Sequence, residues 1–184
     1  ASNGDLMMTG TRELLLDLAA TRVQTRGYNG FSFNDLARDA GIKAASIHYH
    51  FPTKADLGQT LAERYRKGFA ATIGAAGDGA PSDALGRFVA AFAATLDQGR
   101  MCLCGLMGAE VRDLPDSVAT EVAAFFTFCQ QWLEAVFTRA MAGDAATSAR
   151  HTMAALEGAL MMAQVTRDPR LFHDVAAEVR KAIG

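Results

Sequence analysis

The sequence predicts an all-α protein. Pro is limited to 4 of 184 residues while half of the residues are apolar. Apolar residues recur at i, i+3, i+4 spacing, and no stretch sustains the alternation of β-branched residues that a strand needs. The chain is long enough to bury a core without disulfides or metals. No apolar run reaches the roughly 18 residues of a membrane-spanning helix. The polar opening, Ala1 to Asp5, lacks the basic and then apolar pattern of a signal peptide. Three cysteines, an odd count, fit a reducing cytoplasm better than a secreted disulfide scaffold. A cytoplasmic protein with no membrane partner is therefore expected.

About nine helices are expected. The first runs from about Thr11 to Arg26, with a stripe of Leu14, Leu15, Leu18, Ala19, Arg22 and Val23. Gly27 ends it, and a loop follows from Tyr28 to Phe31. Ser32 and Asp35 form a capping box that opens a short second helix, ended by Gly41. The third helix covers about Ile42 to His50 and breaks at Phe51-Pro52. Thr53 and Asp56 form another capping box and open a long fourth helix to about Ile73. Gly74 to Pro81 is the most linker-like stretch, so a boundary is placed there. Further helices follow over about Ser82–Asp97, then up to Arg112 after a break at Gly99-Arg100, then from Asp116 to Met141 and over 144–166. Asp168-Pro169, an N-cap with Pro at the first helical position, starts the last helix, 168–183.

The net charge of −2 divides unevenly. Residues 1–75 carry 9 Lys and Arg against 7 Asp and Glu, whereas residues 76–184 carry 9 against 13. The N-terminal part is the better place to look for a polyanion partner, although the excess is small.

Phe33 to Phe51 carries the informative pattern. Two short helices that cross closely need a small residue on the first and a residue tolerant of positive φ in the turn. Ala37 and Gly41 supply these, and Leu36, Ile42 and Ile47 supply the apolar lock. The pattern is that of a helix-turn-helix, whose second helix presents its N-terminal residues to the major groove. Lys43 can reach phosphate or guanine, Ser46 phosphate or a base edge, and Ala44 and Ala45 permit close approach. His48, Tyr49 and His50 add donors near the DNA backbone. Lys54 opposes the dipole of the fourth helix, which a clamped phosphate would relieve. Taken alone, Ala-x-x-x-Gly is common, and the two histidines and Tyr49 also suit capping and packing.

Residues 32–57 resemble the signature of TetR-type transcriptional repressors, roughly T-x-x-x-I-A-x-x-A-G-V-S-x-G-x-L-Y-x-H-F-x-S-K-x-x-L. Tyr49, His50 and Lys54 match directly, and Ser32 stands at the Thr position. Lys43 stands where Ser is frequent, Ala45 where Gly is frequent, and His48 where the family usually has a Tyr that touches the DNA backbone. The resemblance implies a homodimer that binds a palindromic operator in double-stranded DNA and is released by a small-molecule inducer. It divides the chain into a DNA-binding head (1–52), a connecting helix (53–75) and a ligand-binding and dimerisation body (76–184). A small apolar or aromatic ligand, or a modified cysteine, in the body would push the connecting helix, change the spacing of the two heads and release the operator.

In the body, Ala149, Thr152, Met153, Leu156, Ala159, Leu160 and Ala163 share one broad helical face. The resemblance implies dimerisation through the last two helices, 144–166 and 168–183, and these residues are candidates for that interface, although an ordinary core face looks the same. Phe88, Phe92, Leu106, Met107, Phe125, Phe128, Cys129, Trp132 and Phe137 could wall a pocket for an apolar or aromatic ligand, or could simply be core. Cys102 and Cys104 sit near a helix start beside Arg100, a setting that lowers a thiol pKa. Their segment resembles that of a TetR subgroup whose cysteine senses electrophiles. Two small buried hydrophobes would read the same way.

Two rival readings stand beside this one: an all-α enzyme, and an all-α ligand-binding protein without operator binding, since Ala44 and Ala45 leave the recognition helix sparse in base-reading groups. Two of the four histidines (His48, His50, His151 and His173) fall in the proposed recognition helix. No nucleophile motif, phosphate loop or metal-ligand spacing is visible. Neither catalysis nor a metal or cofactor is therefore expected.

Overall fold

A computed structural model describes residues 3–141 and 143–183, with side chains described from residue 10 onward. Among these residues there are nine α-helices and no strand: α1 (Asn3–Arg26), α2 (Phe33–Ala40), α3 (Ala44–His50), α4 (Lys54–Ile73), α5 (Pro81–Asp97), α6 (Leu103–Ala109), α7 (Asp116–Arg139), α8 (Ala145–Thr166) and α9 (Arg170–Lys181).

Several ends differ from the sequence reading for local reasons. The first helix begins at Asn3 rather than Thr11. Its buried stripe is Leu15, Leu16, Ala19 and Val23, while Leu14 is 45% exposed, so the face is rotated by one residue. The third helix begins at Ala44 because Lys43, in an extended conformation, is its N-cap. The sixth stops at Ala109, and a 3₁₀ turn over Val111–Asp113 replaces its expected last turn. The last begins at Arg170. Pro169 already has helical dihedrals, and the Asp168 carboxylate accepts the Arg170 N–H at 3.1 Å.

Helices α1, α2 and α3 form a small N-terminal unit. The body is built on α7, which packs between α4 and α8, with α5 and α9 closing against α8. The 74–80 stretch is a tethered loop. The Trp132 indole N–H donates to the Gly74 carbonyl at 2.8 Å, Arg87 donates to the carbonyls of Ile73, Ala75 and Asp78, and Arg139 to those of Ala76 and Gly79.

The aromatic residues expected to wall a pocket fill the core instead. Phe88 stacks on Trp132 with centroids 5.5 Å apart, and Phe69 meets Phe88, Phe92 and Phe125 edge-on. Such offset and edge-to-face pairs satisfy one another and occupy the space a ligand would need. Met107, Cys129 and Phe137 are buried with them, and only Leu106 and Phe128 are half-exposed. The expected dimer stripe is corrected in the same way. Thr152, Met153, Leu156, Ala159, Leu160 and Ala163 are all buried within the chain, because α8 lies between α7 and α9. The large apolar side chains α8 does expose are Met161, Met162 and Val165.

Candidate nucleic-acid interface and its link to the body

The Ser32 hydroxyl accepts the Asp35 N–H at 3.3 Å while the Asp35 carboxylate accepts the Ser32 N–H at 2.9 Å. This reciprocal box fixes the start of α2, and the bonds to Ser32 hold the Asp35 carboxyl down at about 2. At the other end Gly41 takes φ 66°, ψ 28°, a left-handed conformation that costs glycine little. The Ile42 N–H then bonds back to the Ala37 carbonyl at 3.1 Å, which closes the turn. Leu36, Ala37, Ile47 and Phe51 are buried between the helices, and Phe33 meets the His48 ring edge-on at 5.0 Å. Arg22 on α1 grips Asp39 on α2 through two hydrogen bonds of 2.5 and 2.8 Å. The helix-turn-helix read from the sequence is therefore formed, with α3 as its second helix.

On α3 and its cap, Lys43, Ala45, Ser46, His48 and Tyr49 are exposed, Tyr49 at 69%. Ala44 and His50 are half-buried, and Ala44 packs against the core, so it is turned from the open face. His48 Nδ1 lies 3.1 Å from the Pro52 carbonyl, which anchors that ring at the end of α3. The Ser32 hydroxyl is engaged in its capping box.

Lys54 differs from its expected role. Its ammonium donates to the Phe31 carbonyl at 2.6 Å and sits over the rings of Tyr28 and Phe31 at 4.7 and 4.5 Å. Burial holds its pKa below the ordinary lysine value. The side chain is half-buried and spends one of its three donors on the Phe31 carbonyl, so it bolts the α1–α2 loop to the start of α4 rather than standing wholly open to a phosphate. The Tyr28 hydroxyl donates to the Lys54 carbonyl at 3.0 Å, and burial pushes that phenol up to about 12.

The sequence reading missed the residue that ties this loop to the body. Glu110, at the end of α6, accepts the Tyr28 N–H at 2.8 Å, the Asn29 N–H at 2.9 Å and the Asn29 side-chain amide at 2.6 Å. Nearby, Gln24 on α1 and Met101 exchange two bonds, Met101 N–H to the Gln24 carbonyl at 3.3 Å and the Gln24 amide to the Met101 carbonyl at 3.0 Å. No local pattern signals either contact, since each joins positions about eighty residues apart.

The cysteine segment is also corrected. Cys102 is 2% exposed and Cys104 fully buried, and burial pushes both thiols up rather than down. The buried Glu157 carboxylate beside them adds to that direction. Cys102 Sγ caps α6 by accepting the Gly105 N–H at 3.3 Å, and the Tyr65 hydroxyl lies 3.7 Å from it. Cys129 is likewise buried and pushed up by burial. All three thiols are free, and they are small core residues without thiolate character.

A cleft of about 370 Å³ opens elsewhere, between α1, α4 and α5 and the segment leading into α6. Leu61, Phe69 and Leu103 contribute to its lining alongside Gln24, Arg64, Thr95 and Arg100. None of the nine residues expected to wall a pocket lines it.

The family profile described as bacterial regulatory proteins, tetR family, matches residues 15–61. A second, described as the C-terminal domain of LmrA/YxaF-like transcriptional regulators, matches residues 81–178. The HTH-type transcriptional repressor DhaR of Mycobacterium sp. (strain GP1) is 29% identical over 129 residues. That match spans 68% of this chain but only 63% of DhaR. A TetR-family transcriptional regulator from Agrobacterium tumefaciens superposes with a TM-score of 0.89 at 30% identity, over 95% of this chain and 97% of its own. A TetR transcriptional regulator from Legionella pneumophila does so at 0.88 and 28%, over 94% and 96%.

Proposed function

Because the chain belongs to the TetR family of bacterial regulatory proteins, we propose that it is a homodimeric transcriptional repressor released from its operator by a small ligand. Proteins of this family are DNA-binding regulators, not enzymes. The observation that carries the reading is the open face of the second helix of the helix-turn-helix. Lys43, Ala45, Ser46 and Tyr49 are exposed there on a helix held by buried Leu36, Ile47 and Phe51. Lys43 and Ser46 supply the donors for phosphate and base edges, and Ala45 leaves room for a thymine methyl. His48 and Tyr49 lie farther along the same helix, toward the DNA backbone.

Residues 1–52 act as the head, the helix over 53–75 as the connector and residues 76–184 as the body that receives the ligand and pairs with a second copy. Movement passes from body to head by two routes, along α4 and through Glu110 to the α1–α2 loop. A reversible, non-covalent inducer fits this body better than a modified cysteine, since all three thiols are buried and pushed up.

Selection of bound duplexes from a random pool by gel-shift, at fixed salt, tests the reading. A palindrome with half-sites about one helical turn apart (~34–36 Å) is expected, and it should survive pretreatment of the protein with a thiol alkylator. Failure to select any sequence overturns the repressor reading, and loss of the palindrome on alkylation overturns the non-covalent one.

A further inference from the structure

We propose that the cleft between α1, α4 and α5 is a binding site for an amphipathic organic anion, a carboxylate carried on an apolar body. The proposal rests on the repressor reading above only for its regulatory consequence. The cleft holds about 370 Å³, within the range of small-molecule sites. Two arginines, Arg64 and Arg100, line it, and no Asp or Glu does. Arg64 is committed across the α1–α4 contact, bridging to Asp17 and lying 3.5 Å from Glu13. Arg100 is half-buried and enters none of the ion pairs among the described residues. Its guanidinium has no counter-charge and still reaches the cleft's water, so an anionic headgroup entering the cleft can pair with it, while the Thr95 hydroxyl nearby is already committed to the Ala91 carbonyl at 3.2 Å. Leu61, Phe69 and Leu103 offer the apolar contact for the remainder of the ligand.

The position of the cleft gives it a regulatory meaning. One wall is α1, which belongs to the head, and another is α4, the connector. Gln24, on the first wall, shares its two hydrogen bonds with Met101, the residue next to Arg100. A ligand drawn to Arg100 therefore bears on the segment that leads into α6, and α6 ends at Glu110, which holds the α1–α2 loop. The bound state would shift the equilibrium between head positions only by its differential affinity for them.

Isothermal titration calorimetry without DNA reads the cleft independently of any operator, using octanoate and 4-phenylbutyrate with octanamide as the neutral counterpart. One carboxylate per protomer is expected, with octanamide at least about tenfold weaker. Arg100→Gln, which breaks no internal bond of the side chain, should weaken octanoate about tenfold or more and erase its advantage over the amide. Ala94→Phe, at an exposed position lining the cleft, should abolish binding of both. No heat from either carboxylate, or equal octanoate affinity in Arg100→Gln, overturns the site. A parallel gel-shift on the selected duplex should show release by saturating octanoate in the wild type and none in Arg100→Gln. Saturation without release overturns the coupling and leaves the site. Absence of operator binding with calorimetry intact overturns the repressor reading alone.

Discussion

Two lysines bracket the recognition helix and serve different ends. Lys43 is an exposed N-cap with its ammonium open to solvent, whereas Lys54 is half-buried and donates to the Phe31 carbonyl. Family resemblance places both near DNA, yet only Lys43 has a charge free to displace a counterion. Lys43→Ala should lower the salt slope of operator binding by about one unit. Lys54→Ala should leave that slope unchanged and lower the unfolding free energy by about 1–3 kcal/mol, through a lost charge-assisted bond and a partly buried acceptor left unpaired. Gel-shift titrations over a salt series, with urea unfolding of each variant, separate the two. A reduced slope in Lys54→Ala would return it to the phosphate backbone. Glu157 makes a second prediction at this scale. Its carboxyl is pushed up from 4.5 to about 7, chiefly by burial, and one of its oxygens has no hydrogen-bond partner. Between those two values the folded protein keeps a proton that the unfolded chain has lost. Stability therefore falls as pH rises through this window and levels off above it. Glu157→Gln should match the wild type near pH 5 and exceed it near pH 8 by roughly 2–3 kcal/mol. Equal urea midpoint shifts at the two pH values would show that the carboxylate is not the cause.

At the scale of the element, α6 is a short helix with a large structural share. Cys102 caps its start through Gly105, and Glu110 at its end gathers three donors from the α1–α2 loop. A seven-residue helix has little stability of its own, so its position depends on these bonds and on the burial of Leu103, Cys104 and Met107. Gly27 makes room for the contact. It has φ 79°, and a Cβ there would stand 2.0 Å from a Glu110 oxygen. Glu110→Ala should lower stability by about 2–4 kcal/mol, since three bonds to a charged acceptor are lost and their donors fall back on water. Amide exchange should quicken at Tyr28 and Asn29 and stay unchanged in α7, and unchanged exchange at those two amides would show that the loop holds itself. What the sequence could and could not show divides along the same line. The capping boxes at Ser32 and Thr53, the Gly41 turn and the Ala37 crossing are local, and all formed where the spacing put them. The Glu110 latch joins distant positions and left no periodic trace. The burial of Cys102 and Cys104 was hidden for the same reason. A helix start is visible in sequence, but the α1, α4 and α8 side chains that close over it are not.

For the whole molecule, the question is which apolar surface a second copy would cover. Periodicity identified the apolar stripe of α8 but could not say whether it faces the same chain or a partner. In the fold α7 and α9 cover that stripe, and Met161, Met162 and Val165 stand outside it, 49, 54 and 78% exposed. Three large apolar side chains within five positions on one long helix form a small patch of the kind that marks an interface. Val175 and Val179 of α9 are half-buried and line a shallow groove with Ala155 of α8 and the exposed Asp174 and Glu178, so the surface continues across both helices with an acidic rim. A two-fold contact through α8 and α9 would cover no residue of α3. The head spacing would then depend on body geometry, as a palindromic site requires. Met162→Glu combined with Val165→Asp tests this. Both side chains are exposed in the protomer, so its helical signal should hold while sedimentation velocity shows a monomer. Operator affinity should fall by more than about tenfold, because two linked heads bind with an avidity that one head lacks. A double variant that still sediments as a dimer would place the two-fold axis on another face. The geometry linking cleft, α6 and head would then have to be reconsidered as a property of one chain rather than of a pair.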